Sequence, residues 1–225
     1  MKIVAVMSPK GGAGKTTISI NIAFALKRRG RKVGILDIDY HGPTLPVLLF
    51  RSWKLPRIEV RDLVKPVEYN GVKIFSLAFI ADPSEVCMWS GETALQYTRA
   101  LFSDIDWGDV DWVIVDTPPG LWDSNVEILA RADKVVVVTE PTLVSIYDAK
   151  KLVAATKRKL AAVVVNEARE YADKLSIENV REILGVDSIY WVPFNKQLQK
   201  DPILPLRPIE ELVEKILGRD YGSKA

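Results

Sequence analysis

Ser8-Pro9-Lys10-Gly11-Gly12-Ala13-Gly14-Lys15-Thr16-Thr17 brings together the residue types that a chain of phosphates needs around it. Glycine has no Cβ, so Gly11, Gly12 and Gly14 let the backbone turn tightly and approach an anion closely. The amide N–H groups from Gly11 through Thr17, Ala13 included, then face inward, and the following helix adds the positive end of its dipole. Lys15 supplies a mobile ammonium for the β- and γ-phosphates, and the Thr16 hydroxyl suits Mg²⁺. The common form of the motif, GxxxxGK[ST], has glycine where this chain has Pro9. The match is to the variant KGGxGK[ST][ST], in which a second lysine, Lys10, precedes the glycines.

Two further clusters of chemistry close apolar runs. In Ile35-Leu36-Asp37-Ile38-Asp39 the two aspartates project to the same side of an alternating strand. Asp37 is expected near Mg²⁺, and Asp39 on an attacking water, since phosphoryl transfer needs mainly positioning and charge neutralisation. Trp112-Val113-Ile114-Val115-Asp116 has the Walker B pattern. Asp116 is expected to reach Mg²⁺ through water, because that ion keeps much of its hydration. The Thr117-Pro118-Pro119-Gly120 that follows is stiff, then permissive, as suits a loop that senses a γ-phosphate. Guanine-reading proteins present Asn-Lys-x-Asp, whereas Val165-Asn166-Glu167-Ala168 and Asn195-Lys196-Gln197-Leu198 depart from it. ATP is therefore favoured over GTP, with Asn166 and the Pro193 loop as the expected adenine contacts.

Positioning such groups takes a parallel sheet. Short β-branched runs over 2–7, 33–38, 72–77, 112–116, 134–139, 162–165 and 188–192 read as strands covered on both faces. Helical patterns over 16–29, 92–103, 125–131, 143–160, 177–184 and 209–217 alternate with them. The expectation is a single α/β domain over 1–225, its mostly parallel, twisted sheet flanked by helices on both faces. Ligands of such sheets bind outside the carboxyl ends of the strands, where all these residues fall. The segment 50–70 shows no clear period and reads as an excursion near the nucleotide.

Composition narrows the function classes. Thirty-one basic residues stand against 29 acidic ones, for a net charge of +2, so no global charge points to nucleic acid or membrane. Hydrophobic residues at 48% support a large core, which excludes disorder. Cys87 is the only cysteine, so no intrachain disulfide framework exists, and a reducing, cytoplasmic setting is expected. The apolar run at the start, 3–7, is too short for a signal peptide core. The terminal pattern Ile209, Leu212, Val213, Ile216 and Leu217 is amphipathic, but Glu210, Glu211 and Glu214 on its polar face would be repelled by anionic lipid. A packed helix is the expectation there. The basic run of Lys150, Lys151, Lys157, Arg158 and Lys159 reads as a solvated face or a docking site for an acidic partner.

Taken together, these motifs resemble the Mrp/MinD group of deviant P-loop ATPases, and within it the Mrp-like metal-cluster carriers. The similar stretches are Asp37 through Leu49, with Gly42-Pro43-Thr44 at its centre, Trp89-Ser90-Gly91, Trp107 through Gly120, and Thr139-Glu140-Pro141 through Asp148. The resemblance covers residues 1 to about 205. It implies an ATP-dependent homodimer of low intrinsic turnover, in which Lys10 reaches across to the partner's phosphates. It also implies a protein partner in metal-centre assembly. Iron–sulfur carriers of this group place a Cys-x-x-Cys pair after the Asn166 strand, and the stretch NEAREYADKLSI from Asn166 has none. Two Cys87 thiolates in a dimer do not make the four that such clusters usually require. The expectation is therefore a switch for another metallocentre, with nickel delivery in hydrogenase maturation as the preferred subtype. His41 and Cys87 are candidate metal ligands with ordinary structural alternatives. The competing class is a MinD/ParA-like positioning ATPase on membrane or DNA, and a small-molecule kinase ranks last.

Overall fold

The computed structural model describes residues 1–39, 42–59, 63–80, 91–120 and 123–218. Eight strands form one sheet in the order β3-β4-β2-β5-β1-β6-β7-β8. They are β1 (Lys2–Met7), β2 (Val33–Asp37), β3 (Val67–Tyr69), β4 (Val72–Ser76), β5 (Trp112–Asp116), β6 (Lys134–Thr139), β7 (Leu160–Asn166) and β8 (Ile189–Val192). All pairings are parallel except that of β3 with β4. Every residue of β2 and β5 is buried, which is why their sequences are apolar without alternation.

Helices cover both faces. On one lie α1 (Lys15–Arg28), α2 (Leu45–Phe50) and α8 (Arg207–Ile216), which pack Ile18, Ile22, Leu45 and Leu212 against the sheet. On the other lie α3 (Glu92–Ser103), α4 (Asp123–Arg131), α5 (Leu143–Thr156) and α6 (Ile177–Leu184), contributing Leu101, Ile128, Leu152 and Val180. A one-turn α7 (Gln197–Lys200) follows β8. Among the described residues no helix is long and apolar enough to cross a membrane.

Several boundaries differ from the sequence reading. The irregular segment 50–70 ends in β3, which pairs antiparallel with β4, Tyr69 opposite Val72. Asn70 (φ 47°) and Gly71 (φ 68°) form the two-residue loop between them, the left-handed pair that matches the twist of a hairpin. The helix expected over 143–160 stops at Thr156, and Leu160 already pairs with Val135. The basic run is partly committed there, since Lys159 Nζ donates to the carbonyls of Leu129 (2.9 Å) and Ala130 (2.8 Å) at the end of α4. The tail helix packs as expected, with Ile209, Leu212, Val213 and Ile216 buried. Its acidic face is not free, however, because Arg28 of α1 and Arg29 just after it clasp Glu210, and Arg29 also clasps Glu214.

Candidate functional site

The glycine-rich loop leaves β1 at Met7 and enters α1 at Lys15. Gly14 is the N-cap of α1, in the left-handed region at φ 82°, and no side chain caps the helix. The first-turn amides are thus left for another acceptor. Space over the loop is open: a Cβ on Gly11 or Gly12 would meet no atom within 4 Å. Gly14 is the opposite case, since a Cβ there would lie 2.2 Å from Asn166 Nδ2. Asn166 sits at the end of β7, 4% exposed, and its Nδ2 donates to the carbonyl of Ala13 at 2.9 Å. The residue expected to read adenine therefore has its amide nitrogen committed to bracing the loop. Pro193, the other expected base contact, is exposed immediately after β8.

Beneath the loop, β2 and β5 end in register, Asp37 opposite Asp116. Both carboxylates are buried, each 1% exposed. Asp116 Oδ1 accepts from Ser19 Oγ at 2.9 Å, with the Thr16 hydroxyl near the same carboxylate. Burial raises the Asp116 carboxyl above its usual range, although the Lys15 ammonium and the two hydroxyls pull it down. Asp37 accepts from Ser76 Oγ at 2.8 Å and from the Asp39 amide at 3.1 Å. Burial first, and then the charge of Asp116, push Asp37 well above the usual range. Ionising both of these buried, adjacent carboxyls is costly on its own, and a cation between them would offset that cost. Lys15, 8% exposed, provides part of that compensation.

Asp39 stands beyond the strand that carries Asp37. β2 ends at Asp37, and Asp39 lies on the loop beyond it, partly exposed, with its carboxylate accepting from the Gly42 amide at 3.3 Å. There it lines a cleft of about 570 Å³ with Pro9, Lys10, Gly11, Pro118 and Gly120. The Pro-Pro-Gly loop forming the far wall is fixed at two points. The Gly120 amide donates to the Ser8 carbonyl at 2.9 Å, and Asn125 Nδ2 donates to the carbonyls of Pro118 (3.1 Å) and Gly120 (2.6 Å). Thr17 sits half-buried in the first turn of α1. Lys10 Nζ pairs at 2.7 Å with Asp148 on α5, and this bond holds the Asp148 carboxyl below its usual range. Among the described residues no three acidic, histidine or cysteine side chains are grouped so as to chelate a metal. His41, Cys87, Trp89 and Ser90 lie outside the described residues.

Three residues of this site escaped the sequence reading. Ser19 lies one helical turn after Lys15, a spacing that could have flagged it. Ser76 ends β4, and only the strand order reveals it as the neighbour of Asp37. Asn125 acts through backbone carbonyls seven and five residues away, and no motif marks it.

The cysteine-free loop after β7 is built from ion pairs. Tyr171 Oη donates to Glu140 at 2.5 Å, and Arg169 pairs with the same carboxylate at 3.1 Å. Glu167 accepts from Lys174 Nζ (2.8 Å) and Trp191 Nε1 (2.7 Å). Burial and the bonded carboxylate push the Tyr171 hydroxyl far above its usual range.

Known proteins carry the same frame. Residues 1–186 match the family model described as ParA: NUBPL iron-transfer P-loop NTPase. An iron-sulfur cluster carrier protein of Methanococcus maripaludis is 38% identical over 156 residues, covering 68% of this chain and 54% of the relative. The mouse cytosolic Fe-S cluster assembly factor NUBP2 is 31% identical over 241 residues, covering 97% and 82%. The chain spans about half the length of the first carrier proteins it matches. Among solved structures, the septum site-determining protein MinD of Pyrococcus horikoshii, complexed with Mg-ADP, superposes with a TM-score of 0.73 at 19% identity, over 96% of this chain and 95% of that one. A nucleotide-binding protein in complex with ADP from Archaeoglobus fulgidus gives 0.68 at 23% identity, over 99% and 90%. With the loop, the paired aspartates and the strand order in place, the chain belongs to the ParA family of P-loop NTPases, in the group described as NUBPL iron-transfer NTPases.

Proposed function

We propose that the chain is a Mg²⁺-dependent ATPase that dimerises on ATP, relaxes on hydrolysis and serves the assembly of metal centres. One observation carries this: two buried carboxylates, Asp37 and Asp116, end in register beneath an uncapped, open glycine loop, with the Lys15 ammonium close enough to Asp116 to pull its titration down. An anion above would take the uncapped first-turn amides, and a cation between would offset the two buried carboxylates.

The residues fit both. Gly11 to Thr17 would hold the phosphates, the space over Gly11 and Gly12 being the cradle. Thr16 would be the direct protein ligand of Mg²⁺, with Asp37 and Asp116 behind its waters, an all-oxygen set of the kind this ion takes. Bound there, Mg²⁺ neutralises charge on the phosphate oxygens. Asp39, which lines the cleft, would orient the attacking water. Lys10 is clasped by Asp148 within one chain, and in a dimer it would exchange that carboxylate for the partner's phosphates. An exposed pair of this kind is weak, so the exchange is cheap. Asn166 and the Pro193 loop remain the base side of the site, Asn166 through its remaining amide oxygen.

The metal-centre role comes from the relatives, whose names are those of iron-sulfur carriers and assembly factors. With one cysteine per chain, this protein would drive a handover between partners rather than hold a cluster on a cysteine pair. The nickel and hydrogenase subtype rests on the missing cysteines alone. A cytoplasmic location follows from the same lone cysteine.

Calorimetry with ATP, with and without Mg²⁺, tests the reading, followed by phosphate release and sedimentation velocity. Mg²⁺-dependent binding, a dimer with ATP and slow turnover are expected. Absence of binding heat would end it, and ATP-dependent co-sedimentation with liposomes or DNA would favour the positioning class.

A further inference from the structure

α2 buries one face and offers the other. Leu45 and Leu49 are 0% and 1% exposed, and Phe50 packs edge-on against Tyr69 and Phe79, with ring centres 4.9 and 6.1 Å away. Val47 and Leu48, by contrast, are 42% and 40% exposed. Just beyond, Trp53 is 78% exposed, the most solvent-open large hydrophobic side chain among the described residues. It is not a frayed end. Ser52 Oγ accepts from the Lys54 amide at 3.0 Å and donates to the Lys54 carbonyl at 3.1 Å, which fixes the turn that holds Trp53 out. Arg51, in the left-handed region at φ 51°, ends the helix and points the chain into that turn. Together with Leu198 and Pro202 these residues line a groove of about 340 Å³ between α2 and α7.

The groove is basic as well as apolar. Segments 47–57 and 196–202 hold Arg51, Lys54, Arg57, Lys196 and Lys200 against Asp201, a local excess of four in a chain whose net charge is +2; Arg51 lines the groove itself, and Lys196 lies 3.9 Å from Glu170. Asp201 is already engaged, its Oδ1 accepting from the Ile203 amide at 2.9 Å. Lys54 Nζ lies 5.1 Å from the Trp53 ring, so cation and aromatic form one surface.

Both walls of the groove lead to the nucleotide site. α2 begins three residues after Gly42, whose amide bonds Asp39 at the cleft. On the other side, Pro202 is bolted to the helix that carries the glycine loop. Buried Asn21 of α1 donates to the Pro202 carbonyl at 2.8 Å and accepts from the Leu204 amide at 2.9 Å.

The geometry points to a docking site, at the groove between α2 and α7, for an acidic amphipathic segment of a partner protein that inserts large apolar side chains beside Trp53. An exposed tryptophan held by a fixed turn, with Lys54 over its ring and Arg51 beside it in the groove lining, is the composition of an interface anchor. The concave shape, with polar Ser52 and Gln199 in the lining, suits a peptide better than a flat bilayer. Its response to nucleotide rests on the ATPase function proposed above. A partner that binds one arrangement of the two walls more tightly shifts nucleotide affinity by the same factor.

Selection from a phage-displayed library of random 16-residue peptides on the full chain tests this directly. Enriched peptides should be net acidic with two or more large apolar residues. They should bind Trp53→Ala and the Arg51→Glu/Lys54→Glu double variant at least tenfold more weakly, and differ at least threefold in affinity between the ADP-bound chain and the chain bound to a non-hydrolysable ATP analogue. Circular dichroism and ATP calorimetry on the same variants should match the unaltered chain. Neutral or basic winners, or binding indifferent to Trp53→Ala, would overturn the proposal. So would Trp53-dependent binding to phosphatidylglycerol vesicles, or Trp53-dependent self-association, in place of peptide capture. If ATP gives no heat while peptides still need Trp53, the ATPase reading fails and the docking site stands.

Discussion

Two loops at the same edge of the sheet are finished in opposite ways. The glycine loop is left open: its helix is uncapped, space stands over Gly11 and Gly12, and the carboxylates beneath it are pushed up by burial, Asp37 also by the charge of Asp116. The loop after β7 is closed upon itself. Glu140 is bonded by Tyr171 and Arg169, and Glu167 by Lys174 and Trp191. An unsatisfied buried group is costly, so the first loop keeps its cost only because a ligand can relieve it. The second has no such need and behaves as a structural clasp. Within this one family, the stretch where the resemblance places a cysteine pair has become a set of ion pairs in this chain.

The contrast can be broken in stages. Lys15→Ala removes the buried ammonium from the open loop and should weaken ATP binding by about a hundredfold or more, read by calorimetry, because a charged hydrogen bond in a dry site is lost. Gly14→Ala should follow closely. It forces a Cβ into the left-handed region and toward Asn166, whose amide must give up Ala13. A stability loss of about 2–4 kcal/mol in urea unfolding is expected, with nucleotide binding impaired. Lys10→Ala should leave binding intact and reduce turnover on the order of a hundredfold, measured as phosphate release at saturating ATP. Normal hydrolysis by that variant would remove the idea that Lys10 acts across a dimer. Tyr171→Phe is the mildest, costing about 1 kcal/mol through one lost bond to a largely buried carboxylate. Its signature is faster amide exchange across 167–175 with ATP affinity unchanged within twofold. A large loss of ATP affinity there would mean that the closed loop belongs to the nucleotide site after all.

Much of the frame was legible because it is written locally. Val- and Ile-rich runs covered on both faces announce parallel strands, and the glycine motif sits where strand gives way to helix. Asp116 was legible as the last residue of such a run. Two departures have specific causes. The sequence suggests one strand through Asp37 and Asp39, but β2 stops at Asp37 and Asp39 lies on the loop beyond it. The hairpin at Asn70-Gly71 carries the strongest short turn signal in the chain and was passed over because its first strand has only three residues. Asn166 was read as a base contact from its place after a late strand. The bond to Ala13, 153 residues earlier, is one that no local pattern encodes.

Local sequence determined the phosphate-binding chemistry: three glycines, two lysines and a threonine, at spacings that only a tight strand-to-helix turn can use. Folding in three dimensions decided the partners. It brought Ser76 to Asp37, Ser19 and Asp37 to Asp116, Asp148 to Lys10, and Leu198 and Pro202 to the groove that Trp53 lines. Backbone conformation is set by neighbours along the chain, whereas charge compensation in a buried site depends on which strands lie side by side, and that order is fixed only when the whole sheet forms.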